Sequence, residues 1–148
     1  MARNWWLIAG GVLSAIGALI HVAAPVAGPD WYRFFGAGEE TARAAQRGSP
    51  VPALMALGIA GLLAAWAAYA FAGAGLIRRL PLMRTALVLI SAVYLLRGLV
   101  LVPALALNRD GVTGFTLWSS LIVLGYGVAY AAGTWKAWPA LSRAAGGG

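Results

Sequence analysis

One histidine, four carboxylates and no cysteine are what this chain offers to acid–base, metal or redox chemistry beyond its basic residues. Arg97 stands out among the charged groups. It lies near the middle of an otherwise uncharged stretch, residues 85–107, long enough to cross a bilayer. A guanidinium at that depth costs from about 2.5 kcal/mol upward, and it is tolerated where it faces a partner, a water-filled cavity or a ligand. Tyrosines apart, His21 is the other ionisable group inside the long apolar stretches. It falls in the outer half of the first stretch, and its offset from Arg97 along two parallel spans is about four residues, roughly 6 Å. Tyr94 lies one turn before Arg97 on the same helix face.

These residues define an expected polar pocket in the outer half of a helical bundle. Arg97 is its fixed positive charge, and Glu39 or Glu40 is the counter-ion from a loop folded over the bundle mouth. His21 is a second donor or a proton acceptor, and Tyr94 a hydroxyl ligand. Asp30 and Arg33 are secondary, because their place at the start of the loop suits helix capping and a surface pair; Trp31 and Tyr32 accompany them. The same residues equally fit a bridge between Arg97 and a loop glutamate that only pins the loop.

Catalysis has little to work with. The absence of cysteine excludes disulfides and thiolate chemistry. Asp30, Glu39 and Glu40 do not follow a calcium-loop spacing, and no metal site is expected. Ser119 and Ser120 have no evident base, and no G-x-S-x-G elbow occurs. Gly36-Ala37-Gly38 is a joint before an acidic turn; two glutamates follow at once, which rules out a phosphate cradle. No catalytic residue is assigned, and a non-enzymatic protein is expected. The redox alternative is a quinone, or a haem held through His21 alone or shared across a dimer, since one chain cannot supply two histidines.

The elements that must position these groups are set by hydropathy. Of 148 residues, 61% are hydrophobic and 10% charged, too few charges for a soluble domain. Four stretches, residues 5–27, 51–77, 85–107 and 114–135, each reach the ~20 residues that cross ~30 Å of hydrocarbon. The net charge of +7 does not point to nucleic acid, because the charges are distributed as a membrane protein needs them. Arg3, Arg78, Arg79, Arg84, Lys136 and Arg143 fall on one side with no acid. Arg33, Arg43, Arg47 and Arg109 face Asp30, Glu39, Glu40 and Asp110 on the other. The positive-inside rule then places both termini in the cytoplasm. Trp5, Trp6, Trp135 and Trp138 form one interfacial belt; Trp31, Tyr32, Phe34, Phe35, Phe115 and Trp118 form the other. Between spans one and two, residues 30–47 read as a broken amphipathic helix, with Asp30 as N-cap, Glu39 and Glu40 opening its second part and Arg43 and Arg47 closing it before Gly48. The short connections, 78–84 and 108–113, force antiparallel neighbours. The expected fold is all-α: a single polytopic membrane domain, an up-down four-helix transmembrane bundle with a short amphipathic helix in its first extracytoplasmic loop.

Small residues recur at four-residue spacing: Gly10, Ser14 and Ala18; Ala56, Ala60, Ala64, Ala68 and Ala72; Gly125, Ala129 and Gly133. Such stripes allow close helix approach, within the monomer or across a homo-oligomer. Pro103 predicts a kink or an early end in span three, since it removes a donor and clashes with the carbonyl of Leu99. Residues 146–148 read as a frayed tail.

The segment Gly28-Pro-Asp-Trp-Tyr-Arg-Phe-Phe-Gly-Ala-Gly-Glu-Glu, followed by Arg47-Gly-Ser-Pro, resembles a group of small, uncharacterised four-span bacterial inner-membrane proteins. Ala92-Val-Tyr-Leu-Leu-Arg-Gly98 is similar to them as well. The general plan also resembles DoxX-like membrane proteins, without a diagnostic motif. The resemblance implies the four-span topology and the bacterial inner membrane. The expected role is to hold a lipid-like or small amphipathic ligand in the polar pocket, or to support a larger membrane assembly. A small dimeric transporter or channel is the second class, and a quinone- or haem-binding redox subunit the third.

Overall fold

A computed structural model of the chain describes residues 3–107 and 112–145. Residues 108–111, which include Arg109 and Asp110, the 146–148 tail and the side chain of Arg143 lie outside the described residues. Every regular element described is a helix: α1 (Trp5–Ala27), α2 (Pro29–Phe34), α3 (Glu39–Gln46), α4 (Val51–Gly73), α5 (Met83–Leu99), α6 (Leu101–Leu107) and α7 (Gly114–Ala145). Four stretches are long and apolar enough to cross a membrane: α1, α4, α5 with α6, and α7 as far as Ser142. The chain is an all-α, multi-pass membrane protein.

Local chemistry explains the helix ends. Asn4 caps α1, its Oδ1 accepting from the N–H of Leu7 at 3.3 Å while its Nδ2 donates to the carbonyl of Gly133 on α7 at 2.7 Å. Helix α4 stops at Gly73, short of the expected residue 77. Gly75 takes φ 79°, and the bonds Leu76 N–H to Phe71 O (2.9 Å) and Gly75 N–H to Ala72 O (3.1 Å) form the closing turn that a left-handed residue permits. Span three breaks at Val100, between α5 and α6. Pro103 has no N–H for the Leu99 carbonyl, so the interruption falls one turn before the proline. Helix α7 outlasts the expected residue 135 and carries Pro139 within it.

The chain divides into two compact units, residues 14–65 and residues 1–13 with 66–148. In the latter, segments of α1, α4, α5 and α7 form a four-helix bundle. Leu7 is fully buried among them; a Cβ on Gly133 would stand 2.6 Å from it, and one on Gly73 2.8 Å from it and 3.0 Å from Leu87. Tyr130, with no exposed surface, lies against Gly10 and donates to the carbonyl of Trp66 at 3.0 Å. Helices α5 and α7 run antiparallel: Gly98 meets Leu124, Leu95 meets Gly127, and Arg84 lies over Trp138.

The small-residue stripes hold on α1, where Gly10, Ser14 and Ala18 are all buried. They drift elsewhere. On α4, Ala56, Ala60 and Ala72 of the stripe are buried, Ala64 is exposed and Ala68 half-buried, and Ala67 and Ala70 are buried outside it. On α7, Ala129 and Gly133 are buried, but Gly125 is exposed with open space around it, and Gly127 packs in its place. At 3.6 residues per turn a strict four-residue repeat turns about 40° further at each step, so it leaves the contact face after two or three steps.

Candidate functional site

The unit of residues 14–65 carries a cavity whose roof is built from two short helices. Gly28 (φ 90°) turns the chain out of α1 and Pro29 starts α2. Gly28, not Asp30, occupies the N-cap position of α2, and no side chain caps that helix. Asp30 lies in the first turn and pairs with Arg33 Nη1 at 2.7 Å. Gly36, at φ 69°, reverses the chain. Glu39 then opens α3 and binds Arg33 Nε at 2.8 Å and Arg43 Nε at 3.1 Å. The Arg33 contact foremost holds the Glu39 carboxyl below its ordinary range, and the same bonds raise Arg33. These pairs are solvent-exposed and worth little individually; their effect is to set α2 against α3.

Beneath them lies an apolar seam. Tyr32 and Ala42 of the roof are buried with Ala24 and Ala56, and Trp31 and Ala45 pack alongside. Burial raises the pKa of the Tyr32 phenol, so it is a protonated hydroxyl at neutral pH. The cavity beside this seam measures about 250 Å³, and its walls come from α1 (Ile20, His21, Ala24), from the roof (Trp31, Tyr32, Phe35, Thr41) and from α4 (Pro52, Met55, Ala56, Ile59).

Three features make this cavity more than a packing gap. The Nδ1 of His21 is 2.8 Å from the carbonyl of Gly17. A carbonyl only accepts, so Nδ1 carries the proton and Nε2 is the nitrogen left for another partner. The indole Nε1 of Trp31 is buried without a hydrogen-bond partner, a loss of about 1–3 kcal/mol unless something else accepts from it. Pro25, four residues after His21 in α1, cannot donate to the His21 carbonyl, so the helical bond there is missing. The walls suit a compact apolar body, and the polar atoms suit one or two hydrogen bonds to it.

The expected site residues are thus distributed as follows. His21, Trp31 and Tyr32 share the cavity. Asp30, Arg33 and Glu39 form the ion-paired roof, with Glu40 exposed beside them. Arg97 and Tyr94 belong to the other unit. Arg97 is exposed, not buried. Its Nη1 reaches the Ser120 hydroxyl at 3.4 Å, a long bond. Tyr94 is 5% exposed and serves as a core ring against Trp66 (4.8 Å), Tyr126 (5.3 Å) and Tyr130 (5.4 Å). Sequence reasoning did not single out Thr41, Met55 or Ile59. Pro52, Met55, Ala56 and Ile59 do follow the i, i+3, i+4, i+7 spacing of one helix face. In a span apolar on every side that face has no contrast to mark it.

Comparison of the chain with family models, curated proteins and solved structures gives no match. The likeness to small four-span inner-membrane proteins rests on the quoted segments alone, and that to DoxX-like proteins on the general plan alone.

Proposed function

We propose that this multi-pass membrane protein holds a small amphipathic molecule in the cavity of residues 14–65, with an apolar body against Ile20, Met55 and Ile59 and a polar head at His21 and Trp31. The supporting observation is the buried, unpartnered Trp31 Nε1 beside a 250 Å³ apolar cavity that also presents a histidine ring. A head group with a carbonyl or hydroxyl oxygen accepts from the indole, and a hydroxyl also donates to Nε2 of His21. Quinone-like and short lipid-like molecules both meet this description. Charge asymmetry supports an orientation with both termini in the cytoplasm, and the resembling segments support a bacterial inner membrane.

Titration of the detergent-purified protein with a decyl-substituted benzoquinone and with decanol, read by tryptophan fluorescence, tests this reading. Saturable binding of one or both is expected. Ala56→Phe, which fills the cavity, abolishes it, and His21→Phe weakens it by roughly tenfold, the effect of leaving a polar group unpaired. If neither probe saturates, or if Ala56→Phe with unchanged helicity binds as the parent does, the reading fails.

A further inference from the structure

The other unit carries a larger groove, independent of the cavity above. It lies between α5 and α7, measures about 610 Å³, and is lined by Val88, Leu95, Ala131, Thr134, Trp135 and Trp138, among others. On α5 it extends from Val88 to Leu95, roughly 10 Å along the axis, or about a third of the hydrocarbon thickness. Its deep end is closed where Leu95 meets Gly127. Its mouth lies at Trp138, over which the Arg84 guanidinium stands at 4.2 Å.

Charge distinguishes this end of the unit. Arg3, Arg78, Arg79 and Lys136 are exposed and Arg84 half-buried, and among the described residues of the unit there is no carboxylate. Arg79 donates to the Ala140 carbonyl at 3.3 Å, and Lys136 lies 5.7 Å from the Trp6 ring. Cations held on indole faces keep their charge without an anionic partner from the protein. Within the groove, one turn inward from Trp138, the hydroxyl of Thr134 is buried and has no hydrogen-bond partner. An apolar slot, a buried polar atom near its mouth and the Arg84 cation over Trp138 at its rim match the three zones of a phospholipid: acyl chain, ester and phosphate.

We propose that the α5–α7 groove binds one acyl chain of an anionic phospholipid, with the ester region at Thr134 and the phosphate at Arg84. The volume falls within the range of about 300–1,000 Å³ typical of small-molecule sites. The anionic preference follows from Arg84 at the rim, since a Lys or Arg near the membrane surface favours an anionic lipid roughly fivefold.

The test is native mass spectrometry of the full chain in detergent, after incubation with equal amounts of phosphatidylglycerol and phosphatidylcholine. The parent protein retains phosphatidylglycerol over phosphatidylcholine by about fivefold or more. Arg84→Gln lowers that ratio about fivefold, and Ala131→Phe, which fills the groove, lowers retention of both lipids. Arg47→Gln, a basic change in the other unit, leaves the ratio as it was. Equal retention of the two lipids by the parent protein overturns the proposal, as does an unchanged ratio in Arg84→Gln. A dimer mass that takes the place of bound lipid and disappears in Ala131→Phe also overturns it, assigning the groove to a second copy of the chain. Should Ala131→Phe lose its helicity, the Arg84→Gln ratio decides alone.

Discussion

Gly127 and Gly125 stand two residues apart on α7 and make a stringent test of the packing. A Cβ at position 127 would lie 2.8 Å from the backbone nitrogen of Leu95 and from its Cδ2, whereas at position 125 nothing lies within 4 Å. Non-bonded heavy atoms rest at about 3.5–4.0 Å. Gly127→Ala therefore demands a displacement of roughly 0.7 Å or more, and because one obstacle is backbone, side-chain rotation cannot supply it. Overpacking of this kind costs about 1–3 kcal/mol. Both alanines gain the same helix propensity, about 1 kcal/mol over glycine, so that term cancels when the two variants are compared. The remaining difference corresponds to a factor of roughly 5 to 150 in the folding equilibrium constant. Reversible unfolding in mixed micelles by titration with sodium dodecyl sulfate, followed by circular dichroism, measures it. Gly125→Ala should match or exceed the parent protein, and Gly127→Ala should unfold at lower denaturant. If Gly127→Ala proves as stable as Gly125→Ala, the α5–α7 register described above is wrong.

Three further outcomes are expected. Asn4→Ala removes both the α1 cap and the tie to Gly133, and should cost about 1–2 kcal/mol in the same titration; no change in the midpoint would refute the dual role. Glu39, whose pKa is depressed in the fold, contributes stability fully present above the unfolded value of about 4.3 and lost as pH falls through the lower folded value. Hydrogen exchange in residues 35–38 should therefore open between pH 5 and pH 3 once the intrinsic pH dependence is corrected for, and Glu39→Gln should show the open pattern already at pH 6. Arg97→Leu should keep the fold, since the side chain is exposed, and should favour membrane insertion of residues 83–107 by about 3–4 kcal/mol in a glycosylation-reporter assay; loss of folded protein would show that the guanidinium has a structural role after all.

Much of the architecture is legible in the sequence because lipid imposes simple conditions. Apolar length locates all four spans, and the acidic start and basic end of residues 39–46 locate α3. Pro103 signals the interruption of span three, although the break itself appears one turn earlier, where the missing bond would have been. The phase of the helices is far less visible. In water an amphipathic pattern marks the buried face, but a transmembrane helix is apolar all round, so Gly125 and Gly127 look alike until a neighbour is placed. The site suffers from the same loss of contrast. Trp31 fits an interfacial belt by position, and only its buried, unpartnered Nε1 distinguishes it from an anchor. Arg97 attracts attention because its charge is costly in lipid, yet cost does not say which way a long side chain turns. Asn4 carries no signal at all without knowledge that Gly133 lies opposite.

The seat of Tyr130 ties three helices through one ring. Its hydroxyl reaches the Trp66 carbonyl, while the ring occupies the space a Cβ at position 10 would need, 2.8 Å from Cδ2. Positions 10 and 130 are therefore free to vary only as a couple: a methyl group at one demands a smaller or differently shaped side chain at the other. Any drift of the sequence that keeps this bundle should show the two sites changing in concert, and a chimera that takes α1 from one version and α7 from another should fail at this point first.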